Sequence, residues 1–125
     1  NTLIVDAYNA NPSSMRASLT NFIHINADRK AVVLGDMGEL GTSSDEEHSG
    51  ILELLLDTCI DKIYLVGPEF RKALTRAGVD LGGRVHWAEN SGLLAAELVR
   101  SPLDGYIVLV KGSHYMRMEK VVANL

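Results

Sequence analysis

The residues able to do chemistry gather in three short polar segments, each directly after an apolar run. The first is Leu34-Gly35-Asp36-Met37-Gly38-Glu39-Leu40-Gly41, where two carboxylates are interleaved with three glycines. Carboxylates accept hydrogen bonds from an ammonium or a hydroxyl. Glycine, lacking a Cβ, lets the backbone turn sharply or come close to a ligand. An ordinary strand-to-helix turn with its acids in water has the same composition. The second segment is Asp6-Ala7-Tyr8-Asn9-Ala10-Asn11-Pro12. Asp6 suits the hydroxyls of a ribose or the backbone of its own loop. Asn9 and Asn11 bring amide donors and acceptors, and Asn11 ahead of Pro12 also reads as a helix N-cap. The third is Lys111-Gly112-Ser113, with Arg117 beyond it. A lysine leaving a strand, a glycine turn and free helix amides favour an anion. The alternative is a lysine stem reaching solvent and an arginine on an exposed helix face. His48 stands apart, beside an apolar stripe, where a packed ring and a ligand-facing ring are both open readings.

What these segments lack excludes other chemistries. No GxGxxG follows the first strand and no GxxxxGK[ST] occurs, which disfavours a dinucleotide site and excludes a P-loop in this chain. His24, His86 and His114 have no zinc-like spacing, so no metal site is expected. No GxSxG elbow or Ser-His-Asp set is recognisable. A formal net charge of −4 gives no field for nucleic acid or an anionic membrane. No apolar run approaches the roughly 20 residues that span a bilayer, and no signal peptide is recognisable. The single cysteine, Cys59, falls in an apolar helical pattern. It reads as a buried small hydrophobe in a protein kept in a reducing, cytoplasmic setting.

The positioning elements follow from periodicity. At 125 residues, 46% hydrophobic and 22% charged, the chain suits one domain. It opens without methionine, straight into an apolar run, and is expected to be a piece of a longer protein. Thr2–Val5 reads as a buried strand, and Met15, Leu19, Phe22 and Ile23 mark a helix over about 12–26. Strands are expected at 31–34, 62–66, 84–87 and 106–110. Ser44-Asp45-Glu46-Glu47 reads as a capping box that opens a helix carrying His48, Ile51, Leu52, Leu55 and Cys59 on one face. Further helices start after Gly67-Pro68, at Asn90-Ser91 and at about His114. Five βα units predict an α/β fold, a Rossmann-like three-layer domain with a mostly parallel sheet. In such a sheet all strand carboxyl ends share one edge, and the three polar segments would meet there.

In this order the segments resemble the signature loops of a Mur ligase carboxy-terminal domain. Tyr8-Asn9-Ala10-Asn11-Pro12 with Ser14-Met15-Arg16, and Leu34 to Gly41 followed by His48, are similar to one branch of that family. That branch adds D-alanyl-D-alanine to UDP-muramoyl-tripeptide in peptidoglycan biosynthesis. Val110-Lys111-Gly112-Ser113 with Met116-Arg117-Met118-Glu119 resembles its third motif. The likeness covers essentially the whole chain. One departure is His114, where the family usually has arginine, so an anion contact made there falls to Arg117.

The resemblance implies that 1–125 is the carboxy-terminal lobe of a three-domain, bacterial, cytoplasmic ATP-dependent amide ligase. The amino-terminal UDP-sugar domain and the central ATPase domain would lie outside it. ATP and Mg2+ would be held mainly by the central domain, with neither bound tightly by this lobe. The tripeptide carboxylate would become an acyl phosphate, then be attacked by the dipeptide amine, leaving ADP and phosphate. By the same resemblance Asp6, Asn9 and Asn11 would face the nucleotide. Asp36, Glu39 and His48 would lie near the dipeptide or the closed interface, and Lys111 and Arg117 would bring positive charge. Partners would be D-alanyl-D-alanine and ATP at the inter-domain cleft and the central domain itself, with no nucleic acid and no membrane. The isolated lobe is expected to be inactive. One alternative is another Mur or folylpolyglutamate-type ligase, which the first two motifs disfavour. The other is a non-enzymatic Rossmann-like module such as a receiver. A receiver needs an aspartate where the third strand ends, and here Val66-Gly67-Pro68 stands.

Overall fold

The computed structural model describes residues 1–6 and 10–125. Asn9, expected to face a nucleotide, lies outside the described residues. Five strands, β1 (Thr2–Asp6), β2 (Lys30–Gly35), β3 (Lys62–Val66), β4 (Val85–Ala88) and β5 (Ile107–Lys111), form one sheet in the order β1-β5-β2-β3-β4. Every pairing is parallel. Alternate strand residues point to opposite faces. Val32, Leu34, Ile63, Leu65 and Leu109 meet Met15, Phe22, Ile51, Leu55 and Phe70 from α1 (Pro12–Ile23), α2 (Ser44–Leu56) and α3 (Pro68–Ala77). Val33, Tyr64, Val66, Val108 and Val110 meet Leu94, Leu98, Met118 and Val121 from α4 (Ser91–Arg100), α5 (Glu119–Val122) and the turn before α5. Burial on both faces is why the central strands are continuously apolar rather than alternating. The three-layer α/β reading therefore holds.

Helix ends show where local chemistry agrees with the pattern and where it departs. Asn11 Oδ1 accepts the Ser14 N–H at 2.9 Å and Ser14 Oγ accepts the Asn11 N–H at 3.1 Å, a reciprocal cap at the start of α1. The capping box expected at Ser44 does not form. A 3-10 turn, Gly41–Ser43, leads into α2, and no side chain caps its start. The Ser44 hydroxyl is instead drawn to Glu69. At the other end of α2 the Arg84 guanidinium donates to the carbonyls of Leu55, Leu56, Thr58 and Ile60. That adds donors and positive charge at the carbonyl end of the helix and just beyond it.

Three other expectations are corrected. β1 is an edge strand with only β5 beside it, so Ile4 and Val5 are 39% and 47% exposed rather than buried. Cys59 lies beyond the end of α2 and is exposed. No helix begins at His114; a 3-10 turn, His114–Met116, ends at Arg117 in the left-handed region (φ 54), and α5 follows. No helix among the described residues is long and apolar enough to cross a membrane.

Candidate functional site

The strand order places β5 between β1 and β2, so the loops leaving these three carboxyl ends run side by side. Asp6 is in register with Lys111, and Lys111 with Leu34. The Lys111 side chain is 1% exposed, and its Nζ donates to Asp6 Oδ2 at 2.6 Å. A buried ammonium requires a close counter-charge. Asp6 provides it while its other half faces the rim.

Asp36 and Glu39, two residues of one loop, have different fates. Asp36 is buried. Its Oδ2 accepts the Glu69 N–H at 2.8 Å and its Oδ1 the Phe70 N–H at 3.0 Å. These are the first-turn amides of α3, whose own N-cap residue, Gly67, has no side chain to offer. Asp36 thus caps a neighbouring helix across the sheet edge. Burial pushes its carboxyl above the ordinary value, while the two amide bonds and adjacent His48 pull the other way. His48 is fully buried beneath the loop, edge-on to Phe70. Its Nε2 accepts the Met37 N–H at 3.0 Å and its Nδ1 lies 2.8 Å from the Ser44 carbonyl, which places the ring proton on Nδ1. Ser44 then donates to Glu69 at 2.6 Å. The resemblance would put Asp36 and His48 near a dipeptide or the closed interface. The structure buries both side chains, with Asp36 tying the loop to α3 and His48 tying it to α2.

Glu39 is exposed, with φ 58. A non-glycine residue held in the left-handed region is uncommon and marks a place to look for function. The loop it rides is tied to the β5 corner, because Ser113 Oγ donates to the Asp36 carbonyl at 2.8 Å. Beside this tie opens a cleft of about 460 Å³. Ala10, Asn11, Gly38, Glu39, Leu40, Ser113, His114 and Tyr115 line it. Residues 10–11, 38–40 and 113–115, one stretch from each polar segment, therefore do meet at one rim. Asn11 reaches the cleft with its Oδ1 already committed to the α1 cap. Arg117, expected one turn into a helix, is instead exposed at the end of the 3-10 turn.

The sequence reads Ser44 and Gly67 only as helix starts and gives no role to Glu69 or Tyr115. Gly67 had a readable signal: it ends the strand beside β2 and precedes Pro68, a helix start with no capping side chain of its own. Tyr115 had one too, a large aromatic inside an otherwise polar turn.

The family model described as Mur ligase, glutamate ligase domain, matches residues 1–114. The chain belongs to the Mur ligase family. Within that family it is similar to the UDP-N-acetylmuramoyl-tripeptide–D-alanyl-D-alanine ligase of Treponema pallidum, 38% identical over 96% of this chain and 26% of that one. The enzyme of the same name in Escherichia coli K12 is 33% identical over 98% of this chain and 26% of its own. Among solved structures, MurF from Acinetobacter baumannii superposes with a TM-score of 0.78 at 33% identity, covering 98% of this chain and 27% of that one. MurF from Thermotoga maritima in complex with ADP gives 0.75 at 26% identity, with 98% and 27% coverage. A folylpolyglutamate synthase of Mycobacterium tuberculosis, at 18% identity and TM-score 0.53, shares the fold. This Mur ligase chain thus spans about a quarter of the length of the curated relatives it matches.

Proposed function

We propose that residues 1–125 form the third lobe of an ATP-dependent ligase that joins D-alanyl-D-alanine to UDP-N-acetylmuramoyl-tripeptide in peptidoglycan synthesis. The observation that carries it is the shared carboxyl edge of β1, β5 and β2, where the Asp6–Lys111 pair closes the strand ends and Asn11, Glu39 and Ser113 line one cleft. The three family motifs supply Asn11, Glu39, Lys111 and Ser113, and Asp6 stands just ahead of the first of them. ATP, held with Mg2+ mainly by a central domain, supplies the phosphoryl group that activates the tripeptide carboxylate. Asp6, half exposed beside the Lys111 ammonium, suits a ribose hydroxyl, and Asn9 follows it three positions on in the sequence. Glu39, the exposed acid of the cleft, receives the dipeptide ammonium. Arg117 brings positive charge for an anionic group, with Lys111 behind it neutralising Asp6. Asp36 and His48 act from below, by fixing the loop that carries Glu39. The dipeptide amine, once deprotonated, attacks the activated carbonyl; an amide forms and phosphate leaves. Closing this lobe over the reacting groups excludes water, which would otherwise consume the activated carboxylate.

The test is a coupled ADP-release assay with UDP-muramoyl-tripeptide, ATP and D-alanyl-D-alanine. The full-length parent should release ADP only with all three substrates present, and the 125-residue chain alone should read background. Turnover by the isolated chain, or a parent indifferent to the dipeptide, would overturn the reading.

A further inference from the structure

One wall of the cleft is supplied by a residue outside the charged set. Tyr115 is 58% exposed and lines the cleft beside Glu39's loop. Its ring lies on the bare backbone of Gly38: a Cβ at that glycine would come within 2.7 Å of Tyr115 Cε1. The turn that carries the ring is pinned on both sides. Ser113 holds it to the Asp36 carbonyl, and the buried Met116 and Met118 flank it against Gly35, where a Cβ would stand 3.0 Å from the Met118 sulfur. The turn that carries the ring is therefore held at the rim. Ala10 and Leu40 complete an apolar side, while Glu39 and Asn11 give the cleft its polar end.

Resting on the ligase reading above, we propose that Tyr115 is a specificity-determining residue, its ring seated on Gly38 setting the size of side chain the incoming dipeptide can present. In this scheme the ring over Gly38 bounds the space beside Glu39, so a longer side chain meets the ring where a methyl group does not. Tyr115 touches no reacting atom in this scheme; it selects by shape. A pocket that excludes added methylenes discriminates by about tenfold or more per group.

The test uses the full-length parent in the ADP-release assay, with D-alanyl-D-alanine and a series in which either residue is lengthened to D-valine or D-leucine. The wild type should prefer the alanyl dipeptide. Tyr115→Ala should raise the relative kcat/KM of a bulkier dipeptide about tenfold, through KM rather than kcat. Gly38→Ala, which evicts the ring by another route, should shift the preference in the same direction. Tyr115→Phe keeps the ring and should restore the wild-type preference. Should Tyr115→Ala fail to fold, Gly38→Ala and Tyr115→Phe decide the matter alone. A preference unmoved in the folded variants overturns the proposal while leaving the ligase reading intact. A wild type that ignores D-alanyl-D-alanine overturns both.

Discussion

Replacing Gly67 with alanine should unfasten Asp36 from α3. Gly67 holds φ 115, a conformation that side chains rarely adopt, and keeping alanine there costs about 1–3 kcal/mol. The added Cβ would also fall on the Asp36 carboxylate, with Oδ1 only 2.7 Å away. The carboxylate must then leave the Glu69 and Phe70 amides, forfeiting two charge-assisted hydrogen bonds worth about 1.5–3 kcal/mol each. Rehydrating a buried charge offsets part of that loss. The net is about 3–6 kcal/mol, a large share of the roughly 5–15 kcal/mol that holds a typical domain together. The assay is urea denaturation of the wild type, Gly67→Ala, Asp36→Ala and the double variant. Where Asp36→Ala has already removed the carboxylate, Gly67→Ala should cost only the backbone strain. The cycle should therefore be less than additive by about 2 kcal/mol or more. Full additivity would refute the claim that Asp36 caps α3 through the space glycine leaves.

Arg84→Met should cost about 2–4 kcal/mol in the same assay, because it removes the guanidinium from the Leu55 and Leu56 carbonyls at the end of α2 and from those of Thr58 and Ile60 beyond it; a loss under about 0.5 kcal/mol would reject that role. The two acids of the α3 start should show opposite pH signs. Asp36, raised by burial from the ordinary 3.8, contributes stability that is fully present below that value and is lost as pH rises through its folded value. The stability gap between wild type and Asp36→Asn should therefore narrow in the wild type's disfavour as pH climbs through the carboxylate range. Glu69, lowered by the Lys72 and Ser44 bonds from 4.5, contributes above that value and loses its contribution as pH falls through the folded one. The gap to Glu69→Gln should shrink on acidification, and urea midpoints across that range read both slopes. Native Cys59 should react with a disulfide reagent without denaturant, since it is exposed beyond α2; protection until unfolding would contradict that placement.

The layered sheet was legible because its signal is local. Val32 to Leu34, Ile63 to Val66 and Val108 to Val110 are buried on both faces, and a run without alternation says so directly. The meeting of the three polar segments was legible as well, since parallel strands send every such loop to one edge. What the pattern could not carry was sidedness at the sheet's margin: Ile4 and Val5 read as core but lie on the edge strand. Nor could it assign carboxylates. Asp36 and Glu39 are three residues apart in one loop, yet one is buried on a helix start and the other points outward. Only the approach of β3 beside β2, with Gly67 leaving the space, decides between them. Ser44 misled for a related reason: a serine ahead of acidic residues suits a cap, but here Glu69, far off in sequence, accepts its hydrogen bond.

The central claim is that Glu39, held in a left-handed turn over the cleft, faces the amine end of the dipeptide. The most direct measurement is the KM for D-alanyl-D-alanine in the full-length parent carrying Glu39→Gln. Loss of a charged hydrogen bond worth about 1.5–3 kcal/mol should raise that KM by roughly ten- to a hundredfold, with the KM for ATP near the wild-type value. A dipeptide KM within about twofold of wild type, in an enzyme that still folds and turns over, would contradict it.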